Sequence, residues 1–221
     1  MSYVRKALPR KNRIYRKFNR GMSVAYNALN LANKTANVVN QMSNLINSEE
    51  KSFGLANSLS VLSSGHVIPI NAIPQGDTGV TRNGIRVLMK NIYIKFYITN
   101  DAESTIPDPI TRVSLVYDKE AGASSYNDLY VASVLGMKNL DNTERFVVLS
   151  DNTYKLTDMG YDASTNVITI FKKLNCHVDF DDDNSTTITT GGLYLYVITN
   201  STDATHHPTF FYQTKLTYYD N

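Results

Sequence analysis

From residue 52 onward, hydrophobic and polar residues alternate in short runs rich in Val, Ile, Thr and Tyr, a pattern typical of β-strands. A long run covers residues 85–99, where Lys90 and Lys95 mark the points at which the alternation meets solvent. A run over 58–70 is predicted to break near Gly65. Two short runs on either side of Asn152 predict either a tight hairpin or one bent strand. The remaining predicted strands lie at 111–118, 166–180, 192–200 and 210–220.

This part of the chain has one segment with a helical pattern, residues 125–135. A parallel α/β architecture needs a helix after nearly every strand, so that class is excluded. We therefore predict an all-β fold, an antiparallel sandwich or barrel, and about eight strands suit a jelly roll.

Residues 22–48 change to a spacing of three and four, with Val24, Ala28, Leu31, Val38, Met42 and Leu45 on one face. That spacing predicts an amphipathic helix of about 27 residues and ~40 Å, with a near-heptad repeat. Its apolar face needs a surface to cover it. Two interpretations stay open: the helix packs on its own domain, or it associates with helices of neighbouring subunits.

The formal net charge of +2 conceals a strong division along the chain. The first 20 residues carry eight cations and no carboxylate, whereas the remaining 201 carry 14 basic and 20 acidic residues. We call residues 1–21 the basic arm and expect it to be disordered in isolation. The division indicates a polyanionic partner, nucleic acid first and an anionic membrane second; a solubilising tail or a nuclear-localisation address are the alternatives. The predicted nucleic-acid-binding residues are Arg5, Lys6, Arg10, Lys11, Arg13, Arg16, Lys17 and Arg20.

No residue pattern predicts catalysis. A phosphate-binding glycine loop, a serine nucleophile elbow and a zinc-protease motif are all missing from the sequence. Cys176 is the single cysteine, which excludes an intrachain disulfide and a cysteine-based zinc cluster. His206 and His207 are adjacent and would point to opposite faces of an extended chain. Without a long apolar run or a secretion signal, we expect a soluble protein, intracellular or bound in a particle.

The densest acidic cluster is Asp179, Asp181, Asp182 and Asp183. Oxygen ligands suit Ca²⁺ or Mg²⁺, and another subunit could complete a partial site. The spacing does not match an EF-hand loop, so a solvated hairpin loop is the alternative interpretation.

The order of basic arm, amphipathic helix and β-strand body resembles the coat proteins of small icosahedral viruses. The resemblance is more specific over residues 73–98, IPQGDTGVTRNGIRVLMKNIYIKFYI, where Gln75-Gly76-Asp77, Arg82 and Gly84 precede a long alternating strand. This pattern is similar to that of satellite tobacco necrosis virus coat protein and of capsids of small circular single-stranded DNA viruses that encode a replication initiator protein. Further similar segments follow in order at 112–118, 127–135 and 144–151, and 25–51 resembles the arm of several such capsids.

The resemblance implies a jelly roll of two four-stranded sheets (residues 52–221), preceded by a helix or linker (22–51) and the basic arm (1–21). It implies a non-enzymatic capsid protein that assembles into a sixty-subunit icosahedral shell of T=1 type. The arms would face inward onto a single-stranded genome, for which DNA is favoured and RNA is the alternative, because charge neutralisation does not distinguish the two. Calcium between subunits would be the one cofactor. The chain would reside in the virion and, during assembly, in the host nucleus.

Two other functions remain as alternatives. A cellular β-sandwich module could bind nucleic acid through the basic arm as a monomer or dimer. A metal-dependent enzyme of the cupin type is less favoured, because it needs two or three histidines at strand spacing and the four histidines are scattered.

Overall fold

A computed structural model describes residues 26–36, 49–101, 103–106, 108–122, 125–131, 133–156, 167–182, 185–203 and 205–220. Within these residues the chain forms nine β-strands, two short 3₁₀ helices and one α-helical segment at 26–36. The strands are β1 (Glu49–Ser60), β2 (His66–Pro69), β3 (Arg86–Thr99), β4 (Ile110–Asp118), β5 (Phe146–Lys155), β6 (Ile168–Phe180), β7 (Ile188–Thr190), β8 (Gly192–Thr199) and β9 (Thr209–Asp220).

The strands form two antiparallel sheets. The five-stranded sheet has the order β1-β9-β3-β6-β7, and the four-stranded sheet has the order β2-β8-β4-β5. Eight of these strands follow the order of a jelly roll, in which the chain passes repeatedly between two facing sheets. The predicted fold is therefore confirmed. The short strand β7 pairs with the end of β6 and adds a fifth strand to one of the two predicted four-stranded sheets.

The main hydrophobic core lies between the two sheets. Strand β3 supplies Val87 and Met89 and then Ile92 and Ile94, so the buried positions change from odd to even residue numbers. A register shift between Met89 and Asn91 causes this change. Such a bulge inserts one extra residue and bends the strand. The alternation on each side of it remains that of a strand with one face on the core.

Strand β8 is buried on both faces along its whole length. One face lies in the main core, while Tyr194, Tyr196 and Ile198 belong to a second cluster on the opposite side of the four-stranded sheet. Tyr126 and Tyr130, from the long connection between β4 and β5, cover this second cluster. Burial on both faces explains why β8 reads as a continuous apolar run.

The helix predicted at 125–135 is wrong. Only Tyr126–Asp128 form a 3₁₀ helix, capped by Ser125. Beyond it the backbone closes a loop, because Val131 N–H donates to Met137 O and Asn139 N–H donates to Leu129 O. These pairings use the hydrogen-bonding groups that a continuing helix would need.

The runs on either side of Asn152 form one strand, β5, with a register irregularity opposite Leu115 and Val116. The interpretation as one bent strand is therefore confirmed. The predicted break near Gly65 is also confirmed, since β1 ends at Ser60 and Gly65 precedes β2 with φ of +79°. Glycine adopts this left-handed conformation without steric cost.

The chain divides into two units, Met1–Asn47 and Ser48–Asn221. In the first unit, residues 26–36 are helical and exposed, within the helix predicted at 22–48. The rest of that predicted helix and the basic arm lie outside the described residues, so their association with other subunits stays a prediction. Strand β1 starts at Glu49, inside the segment predicted as linker. Among the described helices, none combines the length and apolarity needed to cross a membrane.

Candidate functional site

The predicted nucleic-acid-binding residues of the basic arm, from Arg5 to Arg20, all lie outside the described residues. Their role stays a prediction from charge. The structure instead shows which surfaces the β-body offers to partners. Two buried arginine clusters hold the connections between strands in place, and one of these connections carries an exposed apolar loop.

The acidic cluster lies at the turn between β6 and β7. The Asp179 carboxylate forms a two-pronged ion pair with Arg86 (Nη2–Oδ2 2.9 Å) and accepts a hydrogen bond from Thr190 Oγ1 at 2.8 Å. The Arg86 hydrogen bonds lower the pKa of Asp179. Asp183 is not among the described residues, and within the described ranges no three His, Cys, Asp or Glu side chains form a metal-binding group. The turn thus fits the hairpin-loop interpretation, and calcium binding by Asp179, Asp181, Asp182 and Asp183 stays a prediction.

Arg82, from the QGDTGVTRNG segment between β2 and β3, is fully buried. Its guanidinium donates to the carbonyls of Ile73 (3.2 Å) and Asp182 (2.9 Å), and also to those of Gly84 and Ser185. It also lies 4.0 Å from the centroid of the Phe180 ring. One side chain therefore ties the β2–β3 connection to the β6–β7 turn, which makes this segment a structural cluster.

Arg112 on β4 forms the centre of a second cluster, on the outer side of the four-stranded sheet. It makes a two-pronged ion pair with Asp151 on β5, at 2.8 and 2.6 Å. Its remaining nitrogen donates to the Gly136 carbonyl at 2.6 Å, and its guanidinium lies 3.9 Å from the centroid of the Tyr130 ring. Planar, two-pronged pairing of this kind fixes orientation as well as contributing energy. Arg112 thereby anchors the β4–β5 connection to the sheet.

The Asp151–Arg112 pair predicts a loss of stability in acid. Burial alone would raise the pKa of Asp151, but hydrogen bonds from Arg112 and Ser114 outweigh it and lower the pKa. The unfolded carboxyl titrates near 4, so the unfolded chain binds the proton first as the pH falls. The contribution of the pair is complete above about pH 5 and is lost as the pH falls through the folded pKa.

We expect the Asp151→Asn variant to be less stable than the wild type at pH 7 and to show a shallower decline between pH 5 and pH 2. Urea midpoints measured across this range test the prediction. Parallel profiles for the two proteins would show that Asp151 does not titrate in the stated direction.

The β4–β5 connection also carries an exposed apolar loop, which we define as Val131, Leu135, Met137 and Leu140. These side chains are 63 % to 83 % exposed. Exposed large apolar side chains are typical of interaction sites when they form one contiguous patch. The sequence predicted a helix here, and that wrong assignment hid the loop. The signal that could have shown it is Gly136, which interrupts the apolar residues.

The loop is held in one conformation. A Cβ atom at Gly136 would lie 1.9 Å from the Val131 carbonyl oxygen, so only glycine fits this turn. Tyr130 and Lys138 form an isolated β-bridge, and Arg112 donates to the Gly136 carbonyl. An apolar loop that is already ordered loses little conformational entropy when a partner covers it.

Cys176 and His206 both have structural surroundings. Burial raises the pKa of the Cys176 thiol to about 11, so it is protonated and weakly nucleophilic at neutral pH. His206 Nδ1 lies 3.1 Å from Asp101 Oδ2 at the surface. That the chain is not an enzyme stays a prediction.

Comparisons with known proteins give structural neighbours only. No family model and no curated protein matches the sequence. The structure of Desmodium yellow mottle tymovirus is 14 % identical, with a TM-score of 0.35 over 77 % of this chain and 87 % of that chain. Turnip yellow mosaic virus is 7 % identical, with a TM-score of 0.35 over 78 % and 93 % of the two chains. The 60-mer BFDV capsid protein is 10 % identical, with a TM-score of 0.31 over 77 % and 91 %. These neighbours come from viral particles and capsids.

Proposed function

We propose that this chain is a structural capsid protein that assembles into a small icosahedral shell of sixty subunits and packages a single-stranded nucleic-acid genome through its basic arm. The observation that carries the proposal is the charge division along the chain. Eight cations precede a β-body in which carboxylates outnumber basic residues. A tethered polycation binds polyphosphate without reading its sequence.

The fold suits the second half of the proposal. A jelly roll closes its core between two sheets and leaves its loops available for contacts with copies of itself. Here the exposed apolar loop presents four apolar side chains on an ordered backbone. Subunits of a closed shell contact one another around symmetry axes, and apolar side chains at these contacts are buried only after assembly.

Electron microscopy of the purified full-length chain, combined with the ratio of absorbance at 260 and 280 nm, tests the proposal. We expect closed particles of uniform size that contain nucleic acid. Light scattering that shows only monomers or dimers, with or without nucleic acid over a range of salt and pH, would refute the capsid function and favour a cellular nucleic-acid-binding module.

The exposed apolar loop gives a sharper test. Leu135 and Met137 are each 83 % exposed, so replacing both with glutamate should leave the fold intact. The two carboxylates would be desolvated without partners at a subunit contact, which costs several kcal/mol for each contact. We expect the double variant to be monomeric by light scattering under conditions in which the wild type forms particles.

A matched control places the same two charges at exposed valines elsewhere, Val80 and Val167. We expect this control to form particles. Particle formation by the Leu135→Glu/Met137→Glu variant at wild-type concentration would show that the loop is not a subunit contact.

A further inference from the structure

The outer face of the five-stranded sheet is the surface that faces away from the main core. The β4–β5 connection covers the outer side of the four-stranded sheet. The outer face of the five-stranded sheet differs, because the outward residues of β3, β6 and β9 are exposed or half-buried. On most proteins such a face carries charges of both signs. Here cations and aromatic rings predominate.

Four lysines lie on this face: Lys90 and Lys95 on β3, Lys173 on β6 and Lys215 on β9. The register brings them together, since Tyr93 is directly opposite Lys215 and Asn91 is directly opposite Lys173. Among the described residues of these strands, the outward carboxylate is Asp179, which is paired with Arg86. Glu50, opposite Tyr219, adds a second carboxylate on β1 at one end of the sheet. The face therefore carries a net positive charge on a body that is acidic as a whole.

Aromatic rings lie between these lysines. Tyr93 and Phe171 are cross-strand neighbours and are 37 % and 53 % exposed. Tyr97 stacks on Phe211 with ring centroids 4.6 Å apart and planes 15° apart. Lys90 Nζ lies 5.0 Å from the centroid of the Tyr219 ring, and Lys95 Nζ lies 5.7 Å from that of Tyr93. Exposed aromatic rings of this size are costly to leave in water unless a partner covers them.

We propose that the outer face of the five-stranded sheet is a second binding surface for single-stranded nucleic acid. The inference rests on the proposed packaging function and adds where the packaged strand lies on the shell subunit. Lysines on a sheet contact phosphates, while rings between them stack on unpaired bases, which is how sheet-based modules bind single strands. Charge complementarity favours this partner over a second copy of the same face, because two surfaces with four lysines each repel one another.

The first experiment replaces Lys90, Lys95, Lys173 and Lys215 with glutamine in the full-length chain. Binding of a poly-dT oligonucleotide is measured against salt concentration. The slope of log K against log salt is negative. Each lost phosphate contact with a single strand reduces the magnitude of this slope by ~0.7, so loss of all four contacts reduces it by about 2.8. The control replaces Lys119, Lys138, Lys155 and Lys172, which removes the same charge from other surfaces. We expect the control to keep the wild-type slope.

The second experiment uses an oligonucleotide that carries photoreactive 5-iododeoxyuridine. We expect mass spectrometry to find cross-linked peptides that contain Tyr93, Phe171 or Phe211, in addition to peptides of the basic arm. Phe171→Ala should lower the affinity about fivefold or more, because one base loses its stacking partner. Circular dichroism and particle formation report whether the variants keep the fold.

Several results would overturn the proposal. Cross-links confined to the basic arm, with packaging intact, would refute the sheet surface and leave the proposed function standing. An unchanged salt slope combined with loss of particles in the lysine variant would make this face a contact between copies. If the magnitude of the slope decreased equally in the control, the effect would come from the overall charge of the protein and not from this face. Absence of nucleic-acid binding by the wild type would refute both the proposed function and the sheet surface.

Discussion

Replacing all eight cations of the basic arm with glutamine should abolish packaging and remove most of the salt dependence of nucleic-acid binding. The arm supplies eight charges, so its contribution to the slope of log K against log salt is about −5.6 for a single strand. Through the arm alone, the wild type should lose about three orders of magnitude in affinity between 50 and 200 mM salt. Titration of the full-length proteins with poly-dT across this range measures the difference.

The matched control keeps the charge and changes its chemistry. Substitution of lysine for the five arm arginines should leave the slope unchanged, because counterion release depends on charge and not on guanidinium geometry. Particles should still form from the glutamine variant, since the subunit contacts that we propose lie on the β-body. Glutamine-variant shells that still contain full-length nucleic acid would contradict the role of the arm.

The second large effect concerns stability. Arg82→Met should lower the free energy of unfolding by about 3–5 kcal/mol, because four backbone carbonyls lose a charged donor inside the protein. Methionine fills similar space but donates nothing. Urea unfolding followed by tyrosine fluorescence gives the value, at protein concentrations where light scattering shows monomers.

Arg86→Met is the matched control. This arginine lies four residues away and pairs with Asp179, but most of its side chain is exposed to water. Exposed ion pairs contribute little to stability, so the control should unfold close to the wild-type midpoint. If Arg82→Met also unfolded near that midpoint, the buried cluster would not be a source of stability.

The sequence predicts strands correctly where burial of the side chains is regular along the strand. Strands β3, β6 and β9 each have one face on the core, so alternation located them. Strand β8 is buried on both faces, and its continuous apolar run was still recognisable. The bulge in β3 was visible in principle, since Lys90 and Lys95 both mark solvent positions although they differ in parity.

The β4–β5 connection could not be predicted in the same way. Tyr126 and Tyr130 are four residues apart, which matches one face of a helix, but both rings instead cover the four-stranded sheet. Tertiary packing therefore produced a helical spacing without a helix. The apolar loop that follows became visible only when its side chains were found exposed on a closed backbone turn.

The buried arginines could not be predicted either. A sequence does not show that Arg82 and Arg112 donate hydrogen bonds to backbone carbonyls in the interior. The lysine and aromatic surface of the five-stranded sheet depends on the pairing register of its strands, which the sequence does not show. Tyr93 and Lys215 are far apart in the sequence, and antiparallel pairing of β3 with β9 makes them neighbours.

Strand β9, the last in the chain, lies between β1 and β3, and it is the strand against which β1 pairs. Translation at the usual rate needs on the order of 10 s to extend a nascent chain from β1 to β9. Until then, β1 has no neighbour in its sheet. A ribosome-bound or prematurely terminated product consequently lacks the strand that joins β1 to β3, so its five-stranded sheet cannot be completed.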